Sequence, residues 1–319
     1  RPGDQAAVMA YNIPECFEII EAVTWLGCGR VFIGYRMKAP EIEYIVDHSD
    51  SSLLFFLNDF DERIIPYREN YKKLLPDGLI CMGPTPYENV LDFEELFENT
   101  PDVDLNNLPP AEKQAQGMVY TSGTTGRPKG ATRNVSKYAS EPAMNHMKAI
   151  MDLLKYSRDE VHLLCCPIYH SGPSFFAYMT FLLGGTVVLQ EKFDPEEFLK
   201  LASKHGITSS HLVPTMISSI LELPEGITKD LDLSSLRSII FGAAPTQPKH
   251  KLGFMERFGP VLYEYYGSSE ASANTFITPE EILKHPSSVG KAFADNEIIL
   301  LDPEGNEVPD GERGELYVH

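Results

Sequence analysis

Features typical of secreted, metal-binding or membrane proteins are scarce in this sequence. Its 319 residues include five cysteines, an odd number without the CxxC spacing of metal sites: Cys16, Cys28, Cys81, Cys165 and Cys166. Most of them sit in apolar runs, which predicts buried thiols in a reducing compartment. No apolar stretch reaches the roughly 20 residues that cross a bilayer, and no secretory signal is recognised. We therefore expect a cytoplasmic protein without integral membrane association.

Positive charge is also scarce. Lysine and arginine number 27 against 46 aspartates and glutamates, so the formal net charge is −19. A field of that sign disfavours nucleic acid and anionic membranes as surface-bound partners. It is compatible with a small phosphate ligand, because a local site binds such an anion. The hydrophobic fraction of 43% is that of a globular protein, and the length allows two or three packed subdomains.

Alternating apolar strands and amphipathic helices predict an α/β fold. Strands are predicted at residues 6–11, 31–33 and 53–57, with helices beginning at Pro14 and Pro40 between them. Such alternation with short connections favours parallel sheets covered by helices. Further strands are predicted at residues 116–120, 161–166, 186–189, 209–213, 236–241 and 261–265. From residue 288 onward, tight turns predict a small β region, which gives subdomains at 1–135, 136–287 and 288–319.

A glycine-rich segment at residues 120–130, YTSGTTGRPKG, follows one of these strands. Glycines let backbone N–H groups converge, hydroxyls add donors and Lys129 adds positive charge, a combination suited to a triphosphate. The segment lacks the spacing of a Walker A loop. The chain also lacks the HRD and DFG patterns of protein kinases, which disfavours a phosphoryl-transfer enzyme. The predicted nucleotide contacts in this segment are Thr121, Ser122, Gly123, Thr124, Thr125, Gly126 and Lys129.

Four further segments occur in order along the chain: CPIYHSG at 166–172, FGAAP at 241–245, YYGSSE at 265–270 and GERGEL at 311–316. Together with the loop, they resemble the motifs of the adenylate-forming superfamily of acyl-CoA synthetases, amino-acid adenylation domains and luciferases. The likeness covers essentially the whole chain, and residues 261–270 are most similar to bacterial fatty-acyl-CoA ligases. It implies the large N-terminal α/β domain of such an enzyme, with parallel-rich sheets covered by helices and the start of a β-barrel-like subdomain.

The resemblance implies an adenine site. The base would lie between the ring of Tyr266 and a wall of small residues at Gly242, Ala243 and Ala244. Glu264 and Tyr265 would follow the adenine edge, where a carboxylate or a backbone carbonyl accepts from the exocyclic amine. Gly267 completes the predicted contacts in this region.

The resemblance also implies contacts with the phosphates and the metal. Ser269 stands where the family usually has a threonine that meets the α-phosphate, and Glu270 would bind Mg²⁺ beside the triphosphate. The implied catalytic residues are Thr121, Lys129, His170 and Glu270. Arg133 stands where many relatives carry a Thr/Ser-His pair; a substitute contact and a solvent-facing side chain both stay open.

His170 would lie between the acyl pocket and the phosphates. Because a carboxylate substrate is already ionised at neutral pH, we expect His170 to orient the substrate and not to act as a base. Apolar or small residues would line the pocket, and the segment SGPSFFAYM at 171–179 has no aspartate to meet an ammonium group. A hydrophobic acid, fatty or cyclic, is therefore favoured. The predicted pocket residues are His170, Phe175, Val213, Gly242 and Gly267.

The implied reaction is ATP-dependent activation of this acid to an acyl-adenylate, followed by thioester formation with CoA. Amino-acid or aryl-acid adenylation for a carrier protein, and a non-catalytic nucleotide-binding homologue, stay open as alternatives. The expected partners are the acid, ATP, CoA and a second copy of the chain in a homodimer. The implied ribose-binding aspartate and C-terminal domain with its lysine would follow His319, and the implied start of the large domain would precede Arg1. We therefore expect a chain that is incomplete at both ends and inactive alone.

Overall fold

The computed structural model describes residues 1–102, 104, 107, 116–121, 128–134, 141–268 and 272–318. They form two compact units. The first comprises Arg1–Ala143 and Pro167–Ser174, and the second comprises Met144–Cys166 and Phe175–His319. The predicted three-part division of the chain stays a prediction.

The sheet of the first unit has the strand order β5-β4-β3-β1-β2-β6-β7. Every neighbouring pair is parallel except the antiparallel pair β6–β7. All five residues of β1 are buried, as a strand covered on both faces requires. The strands are β1 (Gln5–Met9), β2 (Gly29–Phe32), β3 (Ser51–Leu57), β4 (Leu79–Met82), β5 (Leu91–Asp92), β6 (Gln116–Thr121) and β7 (Lys129–Asn134).

The helices of the first unit bury the apolar faces that their sequences predict. Helix Ala39–His48 has a proline in its first turn, and the Glu41 carboxylate accepts from the Lys38 backbone N–H at 2.8 Å. Its buried Ile42, Ile45 and Val46 belong to the same apolar core as strands β1, β2, β3 and β4. The other helices that lie wholly in this unit are Glu15–Trp25, Asp61–Ile64 and Phe93–Asn99.

The sheet of the second unit has the order β14-β13-β12-β11-β10-β8-β9. Strands β9, β8, β10, β11 and β12 pair in parallel, and β13 and β14 are antiparallel additions. The strands are β8 (Val161–Leu164), β9 (Thr186–Leu189), β10 (Ser209–Leu212), β11 (Ser238–Phe241), β12 (Leu262–Ser268), β13 (Ser272–Ile277) and β14 (Lys291–Ala292). A separate antiparallel pair, β15 (Ile298–Leu301) and β16 (Glu315–Val318), lies in the predicted β region.

The helices of the second unit begin largely at prolines. In helix Pro195–His205, the Asp194 carboxylate accepts from the Glu197 backbone N–H at 2.8 Å and caps the first turn. This helix ends at Gly206, whose φ of +62° is the left-handed conformation that favours glycine. The remaining helices are Glu141–Leu154, Ser171–Leu182, Pro214–Glu222, Pro248–Phe258 and Pro279–Lys284, of which the first two begin in the first unit.

The α/β class with parallel-rich sheets is thus confirmed, as is the burial of four thiols; Cys28 is half-buried. Strands β4, β5, β7, β13 and β14 were not predicted, because they are short, polar or at a sheet edge. Among the residues that the structure describes, no helix is long and apolar enough to cross a membrane.

Candidate nucleotide and acyl site

The glycine-rich segment connects the two antiparallel strands at one end of the first sheet. Thr121 ends β6 opposite Lys129, the first residue of β7, and Tyr120 lies opposite Gly130. Lys129 is exposed, and it belongs to a strand and not to the loop, which corrects the predicted extent of the segment. The predicted contacts at Ser122, Gly123, Thr124, Thr125 and Gly126 lie outside the described residues.

The foot of this hairpin consists of Tyr120 and Thr121 on β6 and Lys129 and Gly130 on β7, and it is tightly packed on one side. A Cβ atom at Gly130 would lie 3.0 Å from Cζ of Tyr120 and 3.3 Å from its hydroxyl oxygen. Glycine at this position therefore lets β7 approach the ring of Tyr120 on the neighbouring strand. The hairpin is held in a defined geometry up to the point where the loop begins.

His170 lies in the first unit, at the turn that begins helix Ser171–Leu182. The Ser174 backbone N–H donates to the His170 carbonyl at 3.2 Å, and the buried Asn12 side chain accepts from the Ile168 backbone N–H at 2.8 Å. The imidazole is exposed and lies 4.4 Å from the Tyr169 ring, measured between centroids. Desolvation by surrounding protein atoms lowers the pKa of His170, so the ring is neutral at pH 7. A neutral ring suits the predicted orienting role.

In the second unit, Gly242 follows β11 and packs against β12 with no room for a side chain. A Cβ at Gly242 would lie 2.7 Å from the backbone oxygen of Tyr265, a distance that real contacts do not reach. Ala243, the next residue, has a φ of +72°, and it is exposed together with Ala244. Left-handed backbone at a non-glycine residue is uncommon and clusters at functional sites. Small residues with an exposed backbone thus follow the end of β11, and their role as a wall of an adenine site stays a prediction.

Tyr265 and Tyr266, two adjacent residues of β12, lie on opposite faces of the strand. Tyr266 is 43% exposed, which leaves a ring face accessible to a base. The Tyr265 hydroxyl lies 3.0 Å from Nε2 of the buried His211, and its ring contacts Phe176 and Phe276. Burial raises the pKa of Tyr265 to about 12. Tyr265 is therefore a core residue by its side chain, and a contact with adenine falls to its main chain.

Glu264 is the predicted site residue whose surroundings differ most from the expectation. Its side chain is buried and forms an ion pair with Lys251, whose Nζ also donates to the Ser288 carbonyl at 3.2 Å. Burial raises the pKa of Glu264, and Lys251 partly offsets this shift. Because Lys251 occupies the carboxylate, a contact of Glu264 with adenine is left to its main chain.

Sequence reasoning did not identify Lys251. It lies in helix Pro248–Phe258, where Lys251, Phe254 and Met255 are the buried residues. These positions follow the i, i+3, i+4 spacing of one helix face. A lysine on an otherwise apolar face is the signal that could have revealed a buried ionic partner.

The acyl-pocket residues predicted in the second unit lie beside a buried aromatic cluster. Phe175 is half-buried and lies 5.2 Å from Phe176, which in turn stacks on His211 with ring centroids 5.6 Å apart. Val213 is half-buried at the end of β10. Gly267 packs so closely on β13 that a Cβ there would lie 2.0 Å from the Ser272 carbonyl oxygen. Phe175 and Val213 supply apolar side chains, and their role in an acyl pocket stays a prediction.

Ser269 and Glu270 lie outside the described residues. Within the described ranges, no cluster of three or more His, Cys, Asp or Glu side chains could hold a metal ion. The predicted Mg²⁺ contact of Glu270 stays a prediction; a single carboxylate together with substrate phosphates is a donor set that Mg²⁺ commonly uses. Thr121, Lys129 and His170 belong to the first unit, and the other predicted pocket residues and the described adenine-site residues belong to the second.

The chain is similar to known proteins over its whole length. A family profile described as "AMP-binding enzyme" matches residues 1–319. The chain is 30% identical over 325 residues to a medium/long-chain-fatty-acid–CoA ligase of Mycobacterium tuberculosis, covering 99% of this chain and 55% of that protein. It is 27% identical over 320 residues to a feruloyl-CoA synthase of an Amycolatopsis species, covering 100% of this chain and 60% of that protein.

A solved structure also resembles the chain. The amide bond synthetase McbA of Marinactinospora thermotolerans matches with a TM-score of 0.83 at 25% identity, covering 99% of this chain and 61% of that one. The chain thus spans between 55% and 61% of the length of these three relatives.

Proposed function

The chain belongs to the AMP-binding enzyme family, and on this premise we propose that the protein activates a hydrophobic carboxylic acid with ATP and transfers the acyl group to CoA. The observation that carries the proposal is the exposed ring of Tyr266 beside the close-packed Gly242. An aromatic face and a wall without side chains at neighbouring strand ends suit a purine base.

In the first half-reaction, a carboxylate oxygen of the acid attacks the α-phosphorus of ATP and pyrophosphate leaves. Lys129, exposed at the foot of the loop, supplies positive charge for the phosphate oxygens. Backbone N–H groups and hydroxyls of residues 121–126 surround the triphosphate. The Ser269 hydroxyl donates to the α-phosphate. Mg²⁺ bound by Glu270 would neutralise charge that grows on the phosphate oxygens.

His170 orients the substrate carboxylate. Its neutral imidazole donates a hydrogen bond without competing as a base, since the acid is already ionised. In the second half-reaction, the thiol of CoA attacks the acyl carbon and AMP leaves. The acid itself is fatty or aromatic. Two relatives support this class, one a ligase of medium- and long-chain fatty acids and the other a feruloyl-CoA synthase.

The test is acid-dependent exchange of pyrophosphate into ATP by the full-length protein, screened over straight-chain, aromatic and polycyclic acids. We expect Lys129→Ala and Glu270→Ala each to lower the exchange rate about 100-fold, in the range of a lost charge-stabilising group. Lys291→Ala is a matched control, because Lys291 is also an exposed lysine that begins an antiparallel edge strand. Adding CoA should then release AMP. Release of ADP, or no exchange with any acid, would contradict the proposal.

A further inference from the structure

The foot of the β6–β7 hairpin has a support outside the glycine-rich segment. Tyr120 ends the run of apolar residues before the loop, one position before Thr121. Nδ1 of His48 lies 2.7 Å from the hydroxyl oxygen of Tyr120, at the distance of a strong hydrogen bond. His48 is the last residue of helix Ala39–His48, which is 72 residues away in the sequence.

The rings of His48 and Tyr120, which form this contact, pack together with the ring of Tyr44. Tyr44 lies one helical turn before His48, and the centroids of their two rings are 5.1 Å apart. The ring of Tyr120 meets Tyr44 edge to face at 6.5 Å and His48 edge to face at 5.9 Å. Gly130 closes the other side of Tyr120, as described above. The phenol is therefore held between a helix end and both strands of the hairpin.

The chemistry of Tyr120 favours a lasting contact. Burial raises the pKa of the Tyr120 phenol above its usual range, so the hydroxyl keeps its proton at neutral pH. A protonated phenol donates to the imidazole nitrogen when His48 presents Nδ1 as an acceptor, and it accepts in the other tautomer. Both tautomers preserve the bond.

We infer that His48 is a positioning residue for the foot of the β6–β7 hairpin, and that it acts through the Tyr120 hydroxyl. The inference rests on the proposed function, since that function assigns Thr121 and Lys129 of this foot to the triphosphate. Pairing of Thr121 with Lys129 fixes their separation, and the His48–Tyr120 bond ties this foot to helix Ala39–His48. Without the bond, ATP binding must bear the cost of fixing this foot.

The test compares variants of the full-length protein in pyrophosphate exchange. His48→Ala and Tyr120→Phe should each raise the KM for ATP about fivefold, the size of one net hydrogen bond, while the KM for the acid stays unchanged. The double variant should be no worse than either single one, because both remove the same bond. His205→Ala is the matched control, since His205 is also an exposed histidine at the last position of a helix.

Two replacements of His48 distinguish positioning from a general loss of structure. The amide of His48→Asn places a polar atom near the position of Nδ1 and should restore the KM for ATP. The longer side chain of His48→Gln places its polar atom near the position of Nε2 instead, so it should not restore the KM for ATP. Equal rescue by both variants, or an unchanged KM for ATP in His48→Ala, would overturn the inference.

Hydrogen exchange supplies a readout that does not need activity. The backbone amides of residues 119–121 and 129–131 should exchange faster in His48→Ala than in the wild type, and at the wild-type rate in His205→Ala. Unchanged exchange at these amides overturns the inference even if the wild type shows no activity. An inactive wild type with faster exchange in His48→Ala contradicts the proposed function and leaves the anchoring role supported.

Discussion

In each of the two seven-stranded sheets, a motif segment follows the last parallel strand. In the first unit, the glycine-rich loop connects the last parallel strand, β6, to the antiparallel β7. In the second unit, residues 269–271 connect the last parallel strand, β12, to the antiparallel β13. Each motif segment therefore joins the last parallel strand of its sheet to an antiparallel neighbour.

The two hairpins differ in how their feet are supported. The first depends on partly exposed contacts, namely the His48–Tyr120 hydrogen bond and Gly130 against a tyrosine ring. The second depends on the buried Lys251–Glu264 ion pair and on the close approach of Gly267 to the backbone of Ser272. Removing one partner of a buried ion pair costs more than removing one partner of a contact that is exposed to water. We therefore expect the hairpin of the second unit to tolerate substitution less than that of the first.

Gly267→Ala should have the largest effect on stability. The new Cβ would lie 2.0 Å from the Ser272 carbonyl oxygen, and backbone on the neighbouring strand cannot move without breaking the β12–β13 pairing. We expect a loss of at least about 4 kcal/mol in the free energy of unfolding, or failure to fold, which puts this variant among exceptional substitutions. Urea denaturation followed by circular dichroism measures it. A loss below about 1 kcal/mol would contradict the account of this hairpin.

Lys251→Met should lower the stability by about 3–5 kcal/mol, because it leaves Glu264 buried without a partner. Burial already raises the pKa of Glu264, and loss of Lys251 should raise it further. A carboxyl group with a raised pKa destabilises the fold as the pH rises past its unfolded value, so the loss should be greater at pH 8 than at pH 5. Denaturant titrations at both pH values test this. Lys249→Met, an exposed lysine of the same helix, is the control.

Acid should weaken the second unit before the first. His162 of β8 is fully buried beside Ser209 and Tyr156, and desolvation together with His211 lowers its pKa to about 3. A histidine with a depressed pKa keeps its full contribution above the unfolded value near 6.5 and loses it as the pH falls toward about 3. At pH 4.5 the cost is about 2–3 kcal/mol, at roughly 1.4 kcal/mol for each pH unit below 6.5.

The measurement is hydrogen exchange of β8 and β10 against β1 and β3 between pH 7 and pH 4.5, corrected for intrinsic rates. Protection should decrease first in β8 and β10. His162→Gln should flatten this dependence. An equal decrease in both sheets, with the same pH dependence in the variant, would show that His162 does not determine the acid sensitivity.

Of the two glycine substitutions, Gly130→Ala should lower the stability less than Gly267→Ala. Its Cβ would meet the ring of Tyr120 at 3.0 Å, and a half-buried side chain can shift where backbone cannot. We expect a loss of about 1 kcal/mol in the free energy of unfolding, typical of a single substitution. The same urea titration measures it beside Gly267→Ala. Equal losses for the two glycines would remove the difference between the hairpins.

The sequence predicted the parts of the structure whose signals are local. Prolines and capping residues located the helices, and apolar runs located most of the buried strands. The α/β class and the family likewise followed from motifs that stand in order along the chain, and both are confirmed. The assignments of the individual site residues stay predictions.

What sequence reasoning missed depends on pairing between distant segments. Lys129 was assigned to the loop with the rest of its motif, whereas its pairing with β6 makes it part of a strand. The ion pair of Glu264 was missed, because its partner Lys251 is 13 residues away on a separate helix. His48 was not considered at all, since nothing local connects it with Tyr120. Contacts of this kind are set by the packing of helices on sheets.

The central claim is that the hairpin loop of the first unit binds the triphosphate during activation of a carboxylic acid. Acid-dependent pyrophosphate exchange by the full-length protein, measured for Lys129→Ala beside Lys291→Ala, tests it most directly. The account predicts exchange about 100-fold slower for Lys129→Ala and at the wild-type rate for Lys291→Ala. Equal exchange rates for the two lysine variants would contradict it.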